Sequence, residues 1–186
     1  MRQARWVALA LFLSASATIT AAVGGDAVTL DGLTSAAPAD WKETEPKSRM
    51  QVRVFTLPRA EGDQADAELI VYFFGTGSGG SVDENLRRWQ GMVKPAEGKT
   101  AQEITKKEEL TVGGTTKVTV LDLTGTYLSR TQPMNPNSPV KEMPGYRAVF
   151  VYFASPKGPY TMRLVGPEKT IAKHLPGFMA WLKNFK

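Results

Sequence analysis

The stretch YRAVFVYFASPKGPYTMRLV, residues 146–165, is the strongest fold signal in the chain. Two apolar runs, Tyr146–Ala154 and Tyr160–Val165, flank the turn-forming residues Ser155-Pro156-Lys157-Gly158. Strand-forming runs separated by a short turn of this composition predict a β-hairpin.

A helix is predicted directly after this hairpin, beginning near Glu168. Apolar residues share one stripe at helical spacing, which is typical of a helix packed on a sheet. The stripe consists of Ile171, Leu175, Phe178, Leu182 and Phe185. Pro176 lies inside the predicted helix and is expected to kink or split it, because proline lacks the N–H of the helical ladder.

Further strands are predicted upstream, again largely as hairpins. Residues 68–74, ELIVYFF, are almost continuously apolar and indicate a central strand that is covered on both faces. The other predicted strands are Val28–Leu33, Met50–Leu57, and a hairpin of Glu103–Val112 and Thr116–Tyr127 about Gly113-Gly114. Leu128–Gly145 contains four prolines and is predicted to be a long irregular loop.

A second helix is predicted between the strands. Ser81 and Glu84 form the S-x-x-E pattern of a capping box, in which both side chains bond to free backbone N–H groups. The helix is expected to run to about Val93, with Val82, Leu86, Trp89 and Val93 on one face.

These elements predict an α+β fold: one domain, over residues 27–186, with an antiparallel β-sheet packed between helices. The composition, 42% hydrophobic and 22% charged, is ordinary for a globular protein. There is no cysteine in the 186 residues, which excludes thiol catalysis and thiolate metal sites.

Residues 1–22 are interpreted as a signal peptide. Arg2 and Arg5 precede the apolar run Trp6–Leu13, and Ala15-Ser16-Ala17 and Thr20-Ala21-Ala22 are candidate cleavage sites. The alternative is a retained anchor, but a membrane span needs about 20 predominantly apolar residues, and four serines and threonines dilute this stretch. We therefore expect an exported, periplasmic or extracellular protein without an integral membrane segment after cleavage.

The charge pattern does not favour nucleic acid as a partner. The formal net charge is +5, and removing Arg2 and Arg5 leaves 21 basic against 18 acidic residues. Nucleic-acid binding needs a one-sided basic face, whereas here acids and bases are interspersed.

The motifs in the chain assign no catalytic residue, cofactor or metal. Gly75-x-Gly77-x-x-Gly80 matches the dinucleotide fingerprint formally, but the parallel strand required after the helix is missing from the pattern. His174 is the only histidine, lies off the apolar stripe, and is predicted to be exposed. Asp63 and Asp66 are interpreted as polar loop residues, because no calcium-loop pattern surrounds them.

Two loops are the predicted interaction surfaces, since long loops often carry function. One is the glycine loop, with Gly77 and Ser78. The other is the proline-rich loop, represented by Tyr127, Arg130, Met134 and Tyr146. The alternative for both is that they merely connect elements.

The chain has Pro38 and Trp41 at its entry, hairpins around a central helix (Ser81–Trp89), and Gly166-Pro167 before an aromatic C-terminal helix. This order of elements resembles the PsbP-like family of extrinsic photosystem subunits and their exported bacterial relatives. The resemblance implies an antiparallel sheet between helices, and a non-enzymatic role in binding a membrane protein assembly and helping it retain inorganic ions.

Our functional hypothesis is therefore an exported, non-enzymatic accessory or binding domain. It is expected to be a monomer that engages an envelope protein or assembly. The alternatives are a hydrolase that uses carboxylates alone, and a carrier of a small ligand or lipid, which requires a sizeable apolar cavity between sheet and helices.

Overall fold

The structure is a computed structural model and describes residues 23–131 and 137–186. The predicted signal peptide and Met134 lie outside these residues. The elements are, in chain order, β1 (Val23–Leu30), β2 (Leu33–Pro38), β3 (Lys42–Thr44), β4 (Gln51–Leu57), β5 (Ala67–Phe73), α1 (Val82–Gln90), β6 (Val93–Lys94), β7 (Thr105–Val112), β8 (Thr116–Arg130), β9 (Val140–Phe153), β10 (Tyr160–Pro167) and α2 (Glu168–Lys183).

Eight strands form one antiparallel sheet in the order β3-β4-β5-β10-β9-β8-β6, with β7 also paired to β8. The hairpin of β1 and β2 is a separate two-stranded sheet. The hairpin predicted from residues 146–165 is β9–β10, and the apolar run 68–74 is β5, which lies between β4 and β10. The predicted α+β fold is confirmed.

Each face of the sheet has its own apolar core, because side chains alternate along a strand. In β9, Val149, Val151 and Phe153 face α2 and the β1–β2 hairpin, whereas Ala148 and Phe150 face α1. Trp89 of α1 stacks on Phe150 with ring centroids 5.2 Å apart. The sheet is therefore covered on both sides, as the continuous apolar run of β9 requires.

The predicted capping box begins α1. Glu84 Oε2 accepts a hydrogen bond from Ser81 N at 2.7 Å, and Ser81 Oγ accepts one from Glu84 N at 3.3 Å. The bond from the Ser81 backbone holds the pKa of Glu84 below its usual value. The helix ends at Gln90 rather than Val93, which instead pairs with Tyr127 in β6–β8 while remaining in the same apolar cluster.

The helix α2 is continuous from Glu168 to Lys183, so the expected split at Pro176 is wrong. Proline has no N–H, so the carbonyl of Ala172, four residues earlier, receives no helical hydrogen bond from Pro176. Both residues are exposed, so water can bond to that carbonyl instead. The N-cap residue of α2 is Pro167, whose side chain cannot accept a hydrogen bond from the helix. Asp63 caps the helix instead, because its Oδ2 accepts hydrogen bonds from Thr170 N at 2.8 Å and Thr170 Oγ1 at 2.6 Å.

Two sequence predictions at the chain's irregular segments are corrected. Residues predicted as one strand, Val28–Leu33, belong to two strands joined by a tight turn at Asp31-Gly32, whose φ angles are 47° and 87°. The Asp31 carboxylate anchors this turn to the β9–β10 turn through Ser155 Oγ at 2.6 Å and Lys157 Nζ at 3.0 Å. The Ser155 bond is the main cause that lowers the pKa of Asp31.

The second correction concerns Leu128–Gly145, which is not a long irregular loop. In β8 and β9, Leu128 pairs with Glu142 and Arg130 with Val140, so much of the segment is a hairpin arm. Pro144 is tolerated in β9 because it lies at a register shift, between the pairs that Tyr146 and Met143 form with β8, and because β10 joins β9 only from Tyr146 onward.

Candidate functional site

The candidate site is an open groove on the outer side of α2, which we name the tryptophan groove. It has a volume of about 340 Å³ and lies between α2 and the segment that leads from β2 to Trp41. It is lined by Ala36, Pro38, Ala39 and Asp40 on one wall, by Lys173, His174, Gly177, Ala180 and Asn184 on the other, and by Trp41 and Trp181.

The two tryptophans are fixed by the core beneath them. A turn in which Trp41 N donates to Pro38 O at 3.1 Å directs the Trp41 ring inward. That ring contacts Phe55, Phe178 and Trp181 at centroid distances of 5.7, 6.2 and 5.6 Å. Buried aromatic groups of this kind dominate packing energetics, so the groove is built on a rigid base.

Trp181 also carries an unusual polar atom. Within the described residues, its Nε1 is a buried side-chain donor that has no hydrogen-bond partner. Its ring packs at a steep angle against those of Trp41 and Phe185, with centroids 5.6 and 5.1 Å away. The indole is almost fully buried and forms part of the apolar base of the groove.

Small residues keep the groove open along α2. Ser35 Oγ donates to Trp181 O at 2.8 Å and ties β2 to the helix. A methyl carbon added at Gly177 would lie 3.6 Å from Pro38 Cγ, an ordinary van der Waals distance. Ala180 is exposed beside it. A larger side chain at either position would occupy the space that the groove now offers.

His174 is buried, with 4% of its side chain exposed, so the prediction of an exposed histidine is wrong. Its Nε2 lies 2.8 Å from the carbonyl oxygen of Pro58, and its Nδ1 lies 3.5 Å from Asp40 Oδ2. Because a carbonyl only accepts, Nε2 carries the proton and donates. The Nε2 bond therefore joins α2 to the end of β4, whereas Nδ1 forms an ion pair with Asp40 only when both ring nitrogens carry a proton.

The predicted glycine loop lies at one end of the sheet, where Gly77 and Ser78 are exposed. Asn85 Nδ2 holds the loop by donating to Gly79 O at 2.7 Å and to Ser81 O at 2.8 Å. A phosphate would have to bind at the start of α1, but the backbone N–H of Ser81 there already donates to the Glu84 carboxylate. The neighbours of β5 are both antiparallel, unlike those of a dinucleotide-binding unit.

The other predicted surface lies near the opposite end of β9, on the α1 side. Tyr127 is buried, its hydroxyl is 3.5 Å from Arg163 Nη1, and burial raises its pKa. Arg130 Nη1 donates to Ser138 O at 3.1 Å across the hairpin arm. Burial likewise raises the pKa of Tyr146, which is half-buried.

The structure brings Tyr127 and Tyr146 into one apolar cluster but keeps the two predicted surfaces apart. Tyr152, whose hydroxyl donates to Gly80 O at 3.1 Å, and Tyr146 are separated by six positions of β9, or about 20 Å. The tryptophan groove lies on the other side of the sheet from both surfaces. Sequence reasoning named Pro38 and Trp41 for the resemblance but did not place Asp40, His174 and Ala180 beside them.

Two absences concern only the part of the chain that the structure describes. No helix there has the length and apolar character needed to cross a membrane. No group of three or more His, Cys, Asp or Glu side chains within residues 23–131 and 137–186 is arranged to hold a metal ion.

Comparison with known proteins identifies the fold. No protein-family model matches the chain, and no curated protein does. Among solved structures, the chain is similar to cyanobacterial PsbP (CyanoP) from Synechocystis sp. PCC 6803, with 12% sequence identity and a TM-score of 0.50. The alignment covers 92% of this chain and 96% of that one. The chain therefore has a PsbP-like fold, as the resemblance in its sequence implied.

Proposed function

Given a PsbP-like fold, we propose that this protein is an exported, non-enzymatic accessory domain that binds a partner protein of the cell envelope through the tryptophan groove. The observation that carries the proposal is the groove itself. It is open along its length, has an aromatic base, and is walled by small side chains next to Asp40 and Lys173. An open groove of this shape suits a segment of a partner protein better than a fully enclosed small molecule.

The polar side chains that line the groove favour a binding role over a hydrolytic one. A general base must have a nitrogen or oxygen free to take a proton from the substrate. The side chain of the single histidine is only 4% exposed, and its Nε2 already donates to the Pro58 carbonyl. A carboxylate-based hydrolase would need two carboxylates converging in one cleft. Asp40 is the one carboxylate among the described residues that line the groove.

Export is supported by the sequence of residues 1–22. Their basic start, apolar run and small-residue sites are typical of a signal peptide. An envelope location would place the groove where membrane protein assemblies are accessible. Fractionation of cells that produce the protein tests this part: we expect the cleaved chain in the exported fraction, and full-length chain in the cytosol would contradict it.

The docking role is tested with a matched pair of variants. Ala180 and Ala172 are both exposed residues of α2, but only Ala180 lines the groove. Ala180→Glu introduces a charged side chain into the groove, whereas Ala172→Glu places the same charge outside it. Helix propensities of Ala and Glu are similar, so neither variant is expected to unfold the protein.

Tagged wild-type protein and both variants are incubated with envelope fractions, and captured proteins are quantified by mass spectrometry. We expect a partner that wild type and Ala172→Glu retain equally and that Ala180→Glu loses by about tenfold or more, as blocking the centre of an interface does. Equal capture by all three proteins, or capture of nothing by wild type, would contradict the proposal. Circular dichroism confirms that the variants remain folded.

A further inference from the structure

A second cleft lies on the other side of α2, between this helix and β7. Its volume is about 370 Å³, within the range of small-ligand sites. Two contacts hold the end of α2 and the segment after it against the β7–β8 hairpin: Lys183 Nζ lies 3.4 Å from Glu108 Oε1, and Gly113 N donates to Phe185 O at 2.9 Å. Residues of the tryptophan groove do not line it, so it is a separate feature of the molecule.

An arginine with unused donors lines this cleft. Arg147 bonds to Asp122 through two atoms, Nε to Oδ1 at 2.8 Å and Nη2 to Oδ2 at 2.5 Å, and their side chains are only 15% and 13% exposed. A guanidinium has five N–H donors, and this pairing uses one edge of it. Within the described residues, Nη1 of Arg147 has no hydrogen-bond partner. The bonds to Asp122 raise the pKa of Arg147, which therefore stays charged.

A second cation stands next to this pair. Lys106 of β7 is directly opposite Asp122 in the β7–β8 register and is exposed, and it forms no ion pair with the described residues. The other charges of the cleft are already matched: Lys107 pairs with Glu109 at 2.8 Å and Glu108 with Lys183. The side chains that line the cleft carry three positive and two negative charges, a sum of +1, and the nearby Glu168 carboxylate partly offsets the charge of Arg147.

The rest of the cleft is apolar. Leu175 and Met179 of α2 form one wall, and Val120 and Val149 lie at its floor. Leu175 and Met179 are only partly buried, and both pack against the core on this face of the sheet. A ligand that fills this space must therefore combine a negative group with a short apolar part.

The geometry points to a binding site for a small amphipathic carboxylate in this cleft. The carboxylate would accept hydrogen bonds from Arg147 Nη1 and Lys106 Nζ, and the short chain would lie along Leu175 and Met179. One surplus positive charge matches a singly charged carboxylate better than a doubly charged phosphate. Binding here is independent of the tryptophan groove and of the docking role proposed for it.

The test uses hexanoate, acetate, hexylamine and inorganic phosphate as probes, titrated into purified protein labelled at the methionine methyl groups. We expect saturable binding of hexanoate with a shift of the Met179 methyl signal, assigned with Met179→Leu. Acetate should bind about a hundredfold more weakly, because it lacks the four methylene groups that would cover Leu175 and Met179. Hexylamine should not bind.

Two lysine variants provide the matched comparison. Lys106→Gln should weaken hexanoate about tenfold through loss of one charged hydrogen bond, whereas Lys173→Gln, in the tryptophan groove, should leave it unchanged. The inference would be overturned if hexanoate did not bind saturably, or if Lys106→Gln bound hexanoate as well as wild type does. It would also be overturned if hexylamine bound as tightly as hexanoate, or phosphate more tightly. Ala180→Glu should bind hexanoate like wild type, so failure of the docking role and failure of this site are told apart.

Discussion

Replacing Gly177 by alanine tests the geometry of the tryptophan groove. Gly177 has helical backbone geometry inside α2, and a methyl group there would lie 3.6 Å from Pro38 Cγ. Alanine costs less conformational entropy than glycine in a helix, by about 0.5–1 kcal/mol. Because the new contact is neither a clash nor a gap, we expect Gly177→Ala to stabilise the protein by about this amount.

The effect is measured by thermal and urea unfolding. For a protein of this length, about 1 kcal/mol corresponds to a rise in Tm of about 2–4 °C. The matched control is Gly113→Ala, for which the methyl would lie 2.5 Å from Leu33 Cδ2 at a φ of 53°. That variant should lose about 1–2 kcal/mol from the left-handed backbone alone.

Opposite signs for the two variants would support both the contact of α2 with Pro38 and the contact of the β7–β8 turn with Leu33. If Gly177→Ala destabilised the protein by more than about 1 kcal/mol, the packing of α2 against Pro38 would be wrong. Because the methyl group also narrows the groove, the more stable variant should capture less of the envelope partner than wild type. A variant that is more stable but binds less separates the groove's function from the stability of the fold.

Two more predictions concern stability. Arg147→Met leaves Asp122 without its partner and should cost about 3 kcal/mol in urea unfolding at neutral pH, with most of the loss recovered in the double variant Arg147→Met/Asp122→Leu; equal losses for the single and double variants would refute the pairing. Ser81→Ala removes the cap of α1 and should cost about 1 kcal/mol. Because the pKa of Glu84 is lowered in the folded protein, its contribution is present above the unfolded value near 4.5 and is lost as the pH falls through the folded value. Ser81→Ala removes the hydroxyl bond to Glu84 at 2.8 Å but keeps the backbone bond at 2.7 Å, so its deficit should shrink in part at lower pH, and a deficit that grew on acidification would contradict the capping box.

Much of the fold could be predicted because its signals are local. The turn Ser155-Pro156-Lys157-Gly158 and the capping box of Ser81 and Glu84 specify their structures within a few residues. The turn Asp31-Gly32 is equally local, and its Asp-Gly signal between apolar residues is sufficient to predict the first hairpin. The prediction of a single strand over Val28–Leu33 is wrong because it does not use this Asp-Gly turn signal.

The arm of β8 and β9 escaped prediction for a different reason. Prolines usually interrupt strands, so their density around Pro139 and Pro144 favoured a loop. The structure places Pro144 where β9 has a partner on one side only. Which stretch of a strand lacks a second neighbour depends on the whole sheet order, and no local pattern reveals it.

The candidate site itself was not predictable from local patterns. His174 lies off the apolar stripe of α2, yet it is buried because Pro58 and Asp40 approach it from distant positions earlier in the chain. The groove forms where β2, the turn to Trp41 and α2 meet, and α2 comes from the other end of the sequence. The resemblance noted at Pro38 and Trp41 identified one wall of it, and only the tertiary structure supplies the other.

Site-specific photo-crosslinking is the sharpest test of the proposed docking role. A photoreactive phenylalanine derivative replaces Asn184, an exposed residue at the rim of the tryptophan groove, or Ala172, on the exposed side of the same helix. We expect a discrete crosslinked product with an envelope protein from position 184 and none from position 172. Products of the same partner and equal yield from both positions, products from position 172 alone, or no product from position 184 would contradict docking through the groove.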